Sequence, residues 1–222
     1  MGQNKMYQFV LFDLDGTILN TIPLIIDTYL AAYRAHQLEP PTIDHIKSGI
    51  GIPLKTYIEQ TVPGPLVEAY TKTYRRINAG HVTTRIGVFT AARHLLEDLK
   101  NAGVPMGIMT SKARQAAVDS LEQFELLDYF IFVRGSEDSA EHKPSPQPIL
   151  DAVQAAEGIL KHPLPLAEVL YVGDNAMDIR SANRAGCPVG IVAWTQMDRQ
   201  QLAKAGDSFT VASFSDLTDR FV

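Results

Sequence analysis

The sequence has a single cysteine, no long apolar run and no signal-peptide pattern, and each of these absences excludes a class of protein. Cys187 is the only cysteine among 222 residues, which excludes an intrachain disulfide and fits a reducing compartment. No apolar run approaches the roughly 20 residues that a membrane-spanning helix needs. The N-terminus has no signal-peptide pattern, because acidic residues occur by Asp13. We therefore expect a cytoplasmic protein that does not bind membranes.

Basic clusters are also missing. The net charge is -5 and the predicted pI is near 5.7, and no run is dense in Lys or Arg. Nucleic acid is therefore not expected as a partner. Nothing in the composition indicates an oligomeric state. The length is sufficient for one large domain or for a domain with an insertion, with a core that needs no disulfides.

A short apolar run, Phe9–Phe12, leads directly into two acidic residues, Asp13 and Asp15, which are followed by Gly16 and Thr17. Such a run is typical of a buried strand, and ligands of open α/β sheets bind beyond the carboxyl ends of strands. Two carboxylates on one face of a strand repel each other unless a cation or a shared proton intervenes. Mg²⁺ is the cation that prefers such oxygens. An ordinary turn, where Asp and Gly are common, remains the alternative.

Further apolar runs alternate with segments of helical character. This alternation predicts an α/β fold with a doubly wound, Rossmann-like parallel sheet. The runs are Met106–Met109, Tyr129–Val133, Val169–Val172 and Val189–Ala193. The helical segments are Phe89–Lys100, Ala113–Phe124, Gln147–Ala156 and Ala176–Ala185.

Residues 19–84 depart from this alternation, because no clear strand occurs in them. Helical periodicity predicts three helices there, of which the second begins near Leu54 and the third ends at Gly80. We interpret the segment as an all-α cap domain, inserted after the first strand and lying over the catalytic edge. The α/β core would then comprise residues 1–18 and 85–222.

Polar side chains recur after the later apolar runs. Hydroxyls of Thr110 and Ser111 at a strand end can bind a phosphate oxygen, although Ser and Thr are also ordinary helix N-caps. Lys143 precedes Pro144 in a stiff turn, from which it could neutralise an anionic site, although most lysines are simply solvated.

A second acidic pair, Asp174 and Asp178, follows another apolar run. The two residues share a helical face if a helix begins near Asp174. Their repulsion would be offset in part by the helix N-terminus and further by a metal ion. An N-cap acid beside a solvated acid is the alternative.

Together these motifs resemble the haloacid dehalogenase superfamily of phosphotransferases, and the subgroup of phosphoglycolate phosphatase-like and pyrophosphatase-like members with a helical cap. DLDGT at 13–17, Thr110-Ser111, Lys143-Pro144 and GDNAMD at 173–178 occur in the order of that family. The resemblance covers the whole chain. It implies that Asp13 is the nucleophile, that Asp15 is the general acid and base, and that Thr110 and Lys143 contact or balance the transferring phosphoryl group.

The resemblance also implies Mg²⁺ as the cofactor. Asp15 would bind it through its backbone carbonyl, and Asp178 would act indirectly. The expected metal-binding residues are Asp13, Asp15, Asp174 and Asp178. The expected substrate- or phosphate-binding residues are Gly16, Thr17, Ser111 and Arg75. For Arg75, a solvated helix arginine is the alternative to contact with a second anionic group of the substrate.

The implied activity is that of a Mg²⁺-dependent phosphatase. Its partner would be a small phosphorylated metabolite, phosphoglycolate-like or pyrophosphate, hydrolysed through an aspartyl-phosphate. Asp15 disfavours dehalogenases and phosphonate hydrolases of the superfamily, which lack this second acid. A phosphomutase of the β-phosphoglucomutase type and a non-catalytic metabolite-binding protein remain alternatives.

Overall fold

A six-stranded parallel sheet forms the centre of our computed structural model, which describes residues 7–80 and 86–217. The strands are β1 (Phe9–Phe12), β2 (Met106–Met109), β3 (Val133–Arg134), β4 (Val169–Gly173), β5 (Val189–Val192) and β6 (Phe209–Val211). They lie in the order β3-β2-β1-β4-β5-β6, and every neighbouring pair is parallel. The predicted doubly wound α/β class is confirmed.

Nine α-helices occur in the described residues. Four belong to the inserted segment: α1 (Ile22–Ala35), α2 (Ile43–Gly49), α3 (Leu54–Thr61) and α4 (Val67–Ala79). The others are α5 (Thr90–Asn101), α6 (Arg114–Gln123), α7 (Gln147–Leu160), α8 (Ala176–Ala185) and α9 (Arg199–Ala203). Among these nine, none combines the length and the apolar character that crossing a membrane requires.

The order of the strands places a binding edge between β1 and β4. The chain leaves β1 towards β2 on one side, whereas β4 leads to β5 on the other, so this is the point where the strand order reverses. Phe12 is in register with Val172, and the Asp13 N–H donates to the Val172 carbonyl at 2.9 Å. The residues that follow β1 and β4 therefore meet at the carboxyl edge of the sheet.

Alternating side chains of β1 supply both faces of the sheet. Phe9 and Leu11 pack in the layer formed with α7 and α8, whereas Val10 and Phe12 pack in the layer formed with α5 and α6. All four residues are buried. Because burial of each such side chain contributes about 1.5–3 kcal/mol, β1 is held firmly where it presents the next residues.

The inserted helices have an apolar cluster of their own. It is rich in tyrosine, and the rings of Tyr29 and Tyr74 have centroids 4.7 Å apart. The Tyr70 hydroxyl donates to the Tyr29 carbonyl at 3.1 Å, which ties α4 to α1. This separate cluster supports the interpretation of a cap, but the boundaries at 19 and 84 stay a prediction, and residues 81–84 lie outside the described part.

Several elements differ from the sequence-based expectation, and one of them is helix α9, which was not predicted. Strand β3 covers only Val133–Arg134 instead of Tyr129–Val133, because Leu127–Tyr129 forms a 3₁₀ turn. Helix α2 was not predicted: it has seven residues, too few for a clear periodicity, and it is capped by the Thr42 hydroxyl, which accepts the His45 N–H. Strand β6 was also missed, because three residues at a sheet edge carry little pattern.

Candidate active site

Three buried carboxylates meet at the carboxyl ends of β1 and β4. Oxygen atoms of Asp13, Asp174 and Asp178 all lie within 4.8 Å of one another. Asp13 follows β1 directly, Asp174 follows β4, and Asp178 lies in the first turn of α8. Three negative charges at such distances in a buried place require compensation by cations or protons.

Lys143 supplies part of this compensation. Its ammonium lies 3.2 Å from Asp13 Oδ1 and 2.8 Å from Asp178 Oδ1, and the side chain is buried. Burial lowers the pKa of Lys143, but the two carboxylates outweigh this and hold the pKa above its ordinary value, so the group stays charged. The alternative of a solvated lysine at this position is therefore wrong.

Asp178 is fully engaged by protein donors. Oδ1 accepts hydrogen bonds from Lys143 at 2.8 Å and from the Tyr171 hydroxyl at 3.1 Å. Oδ2 accepts from the backbone N–H groups of Asp174 and Asn175, both at 3.0 Å. These contacts favour the indirect role at the cation, in which Asp178 orients Lys143 and the turn after β4.

The predicted start of α8 at Ala176 is confirmed, but the placement of Asp174 on that helix is not. The helix begins at Ala176 with Asn175 as its N-cap, so Asp174 precedes it and does not share a helical face with Asp178. The Asn175 side chain accepts the N–H groups of Met177 and Asp178, and the Asp178 side chain accepts the Asn175 N–H, which makes a capping box. Asp174 is thereby free to face β1.

The oxygens that remain fit a divalent cation. Asp174 Oδ2 is buried and accepts no hydrogen bond within the described part of the chain. Burial and then the charges of Asp178 and Asp13 raise the pKa of Asp174 well above its ordinary value. Burial likewise raises the pKa of Asp13 to about 6, although Lys143 opposes the shift. A bound divalent cation would reverse both shifts, since it favours ionised oxygen ligands.

Gly16 makes room for this arrangement. Its φ is +84°, and a Cβ atom on its backbone would lie 2.3 Å from Asp174 Oδ2. The neighbouring Thr17 hydroxyl donates to Asp174 Oδ1 at 3.4 Å. Gly16 thus leaves space for the carboxylate of Asp174, and Thr17 donates a hydrogen bond to it. The expected contact of both residues with phosphate stays a prediction.

Asp15 does not join the acidic group through its carboxylate. Both carboxylate oxygens accept hydrogen bonds from the Lys112 ammonium, at 3.0 and 3.3 Å. The side chain of Asp15 is 17% exposed and that of Lys112 is 16% exposed. Its backbone carbonyl remains the ligand that the family resemblance implies. Lys112 was not predicted as a site residue, although its position directly after Thr110 and Ser111 was a signal.

Tyr74 brings the inserted helices to the same place. The phenol is buried on α4, and burial followed by the negative charge of Asp15 raises its pKa. Arg75, the next residue, is exposed, and its expected contact with substrate stays a prediction. On α4, Tyr74 is therefore the residue on the side that faces Asp15.

The hydroxyls after β2 do not cap a helix. Helix α6 begins at Arg114, and its first N–H is satisfied by the Glu137 carboxylate at 3.1 Å. Thr110 is buried, and its oxygen accepts the Lys112 N–H at 3.3 Å, so its hydroxyl proton remains available to a phosphoryl oxygen. The capping alternative is therefore wrong for this pair.

Ser111 is used differently from the expectation. Its hydroxyl donates to the Gly51 carbonyl at 2.6 Å, which joins the loop between α2 and α3 to the turn after β2. Gly51 has a φ of +99°, and a Cβ there would lie 3.1 Å from the Asn175 amide nitrogen. The inserted segment thus approaches the turns that follow β2 and β4. Phosphate binding by Ser111 stays a prediction.

The loop after β5 that contains Trp194 and Thr195 is hydrogen-bonded to the site, and the sequence analysis did not identify it. Trp194 Nε1 donates to the Thr17 carbonyl at 2.9 Å, and the Thr195 hydroxyl donates to the Asp174 carbonyl at 2.6 Å. No motif marks these residues, because their partners are remote in sequence. They fix the backbone of two loops that carry site residues.

Comparison with known proteins identifies relatives over nearly the whole length. A family model of haloacid dehalogenase-like hydrolases matches residues 10–192. The chain is 31% identical over 208 residues to pyrophosphatase PpaX of Anoxybacillus flavithermus, covering 94% of each chain. It is 32% identical over 209 residues to pyrophosphatase PpaX of Bacillus cereus, covering 94% of this chain and 93% of that protein.

Solved structures share the architecture. A protein from Haemophilus somnus, described as a predicted phosphoglycolate phosphatase, superposes with a TM-score of 0.82 at 20% identity, over 95% of this chain and 96% of that one. A haloacid dehalogenase-like hydrolase, so described, from Bacteroides fragilis superposes with a TM-score of 0.81 at 25% identity, over 95% of this chain and 99% of that one. These matches extend over the sheet and the inserted helices alike.

Proposed function

Because this chain belongs to the haloacid dehalogenase-like hydrolases and is a phosphatase, we propose that it hydrolyses a small phosphorylated metabolite through an aspartyl-phosphate on Asp13, with Mg²⁺ as its metal. The observation that carries the proposal is the position of Asp13. It lies at the end of β1 beside the Lys143 ammonium, in a group of three carboxylates that fits a cation. The alternative of a non-catalytic binding protein is thereby disfavoured.

The first step is attack by an Asp13 carboxylate oxygen on the phosphorus atom. A P–O bond forms to Asp13 while the bond from phosphorus to the leaving oxygen breaks, and Asp15 gives its proton to that oxygen. In the second step Asp15 takes a proton from water, the water oxygen attacks phosphorus, and the bond to Asp13 breaks. Phosphate leaves and Asp13 is regenerated.

Stabilisation of the transferring group falls to the cationic and hydroxyl groups around Asp13. Lys143 stays charged, and the Thr110 hydroxyl has a proton to donate to an equatorial oxygen. When bound, Mg²⁺ would supply positive charge at the phosphoryl oxygens, held by Asp13, Asp174 and the Asp15 carbonyl. Asp178 contributes by orienting Lys143.

The substrate part of the proposal is supported by relatives with activities in their names. Two are called pyrophosphatase, and a structural neighbour is described as a predicted phosphoglycolate phosphatase. Both named substrates are small, and both carry a second anionic group on the leaving side. We propose a substrate of this kind, encountered in the cytoplasm, with neither nucleic acid nor membrane as a partner.

The test is a phosphate-release assay with pyrophosphate, phosphoglycolate and p-nitrophenyl phosphate, with Mg²⁺ or with EDTA. We expect Mg²⁺-dependent turnover that Asp13→Asn lowers below about one per cent while the unfolding temperature is kept. Residual turnover above that level contradicts Asp13 as the nucleophile. Transfer of the phosphoryl group to a sugar phosphate, without steady release into water, would identify a phosphomutase instead.

A further inference from the structure

We propose that Lys112 binds the second anionic group of the substrate, the one carried by the leaving fragment. This rests on the proposed function, and it assigns to the protein a preference for phosphoesters or anhydrides whose leaving group is itself an anion. Neither the family motifs nor the reaction steps above use the Lys112 side chain.

The position of Lys112 is defined by Asp15. The Lys112 ammonium lies 3.0 and 3.3 Å from the two carboxylate oxygens of Asp15. In the proposed reaction Asp15 must lie within hydrogen-bond distance, about 3 Å, of the leaving oxygen to protonate it. The ammonium is therefore within about 6 Å of that oxygen. An anionic group one or two bonds beyond the leaving oxygen comes within its reach.

The two lysines of the site pair with different carboxylates. Lys143 lies between Asp13 and Asp178, on the side of the nucleophile, and pairs with both carboxylates. Lys112 pairs only with Asp15 among the ion pairs of the described residues, and it lies on the side of the general acid. An anionic leaving fragment that arrives beside Asp15 lies close to Lys112, which is the cation placed to offset the negative charge of that fragment.

The surroundings strengthen this contact. The Lys112 side chain is only 16% exposed, so water screens its charge less than at the open surface. Ser111, the preceding residue, donates to Gly51 of the inserted segment, so this turn is covered by the cap loop. Arg75, by contrast, is exposed on α4. Lys112 is therefore better placed than Arg75 to hold a second anionic group.

The experiment compares phosphoglycolate with ethyl phosphate, which has a methyl group in place of the carboxylate. We measure kcat and KM for both with saturating Mg²⁺ and take the ratio of the two kcat/KM values. Lys112→Met and Lys112→Gln should lower this ratio about 10- to 100-fold, mainly through the KM for phosphoglycolate, as expected for loss of a hydrogen bond between charged groups. Lys112→Arg should keep most of the preference.

The ratio separates this role from a merely structural one. If Lys112 only steadies Asp15, both substrates lose turnover equally and the ratio stays at the wild-type value, which overturns the proposal. Lys204→Met changes the net charge equally at an exposed position and should leave the ratio unaltered. A ratio that falls in Arg75→Met but not in Lys112→Met also overturns it.

The same data distinguish this inference from the proposed function. If the wild-type protein hydrolyses neither substrate nor p-nitrophenyl phosphate, the phosphatase proposal fails and the inference falls with it. If it hydrolyses both substrates with the same ratio as Lys112→Met and Lys112→Gln, the phosphatase stands and only the role of Lys112 is refuted. Thermal unfolding of each variant shows that the comparison is made on folded protein.

Discussion

Replacement of Lys143 by methionine tests the electrostatics of the site through stability alone. The ammonium lies 2.8 Å from Asp178 and 3.2 Å from Asp13, and it is buried with both. Lys143→Met keeps most of the aliphatic volume but leaves buried carboxylates without their cation. At an effective dielectric constant of 20, each lost ion pair is worth about 5–6 kcal/mol. Part of this loss in ion-pair energy is offset, because the variant no longer buries an ammonium, which costs several kcal/mol in lost hydration.

We therefore expect Lys143→Met to lower the free energy of unfolding by about 3–5 kcal/mol, the range for removal of one partner of a buried pair. For a protein of this size that corresponds to a fall in Tm of roughly 6–20 °C. Urea denaturation in EDTA, followed by circular dichroism, measures the change. A loss below about 1 kcal/mol would show that the pair is solvated and would refute the reasoning.

A double variant sharpens this test. In Lys143→Met/Asp178→Asn one of the unpaired charges is removed, while the amide oxygen can still accept the N–H groups of Asp174 and Asn175. We expect the double variant to be more stable than Lys143→Met by about 1–2 kcal/mol. Strictly additive losses from the two single changes would contradict a direct coupling between Lys143 and Asp178.

Three further outcomes follow from the carboxylate group. Gly16→Ala places a Cβ 2.3 Å from Asp174 Oδ2 at a φ of +84°, so we expect about 1–3 kcal/mol of destabilisation and a large loss of turnover, measured by urea denaturation and phosphate release. Asp174→Asn should weaken Mg²⁺ binding at least about tenfold in calorimetric titration, since it removes an ionised ligand; unchanged binding would contradict its role. Because burial raises the pKa of Asp13 from 3.8 to about 6, its contribution to the stability of the metal-free fold is present below pH 3.8 and is lost as the pH rises through about 6. Mg²⁺ binds the ionised form, so the rise in Tm that it causes should be larger at about pH 7 than at about pH 5 in thermal unfolding, and an equal rise would argue against this shift.

Elements with a strong local pattern could be predicted well. The apolar runs of β1, β2, β4 and β5 begin and end within one residue of the expected bounds, because each is a continuous run that leads into polar residues. Short elements could not be predicted in this way. Helix α2 has seven residues and β6 has three, which is too few for a clear periodic pattern.

In the candidate site, too, some residues could be predicted from the sequence and others could not. Asp13 and Asp174 were predicted from their places at the ends of apolar runs, and Lys143 from its stiff turn before Pro144. The structure brings these three residues together with Asp178. The detailed role of Asp178 was harder to predict, because it depends on donors from Tyr171 and from two backbone N–H groups.

The sequence by itself determined the class of fold and the edge at which chemistry occurs. Periodicity is a local property, and parallel strands bring their carboxyl ends, with the acids that follow them, to one side of the sheet. Only the tertiary structure decided which charges are paired. Lys112 meets Asp15 across 97 residues, and Ser111 meets Gly51 across 60. Such contacts depend on how the helices of the inserted segment and the turns of the core pack, which no local pattern encodes.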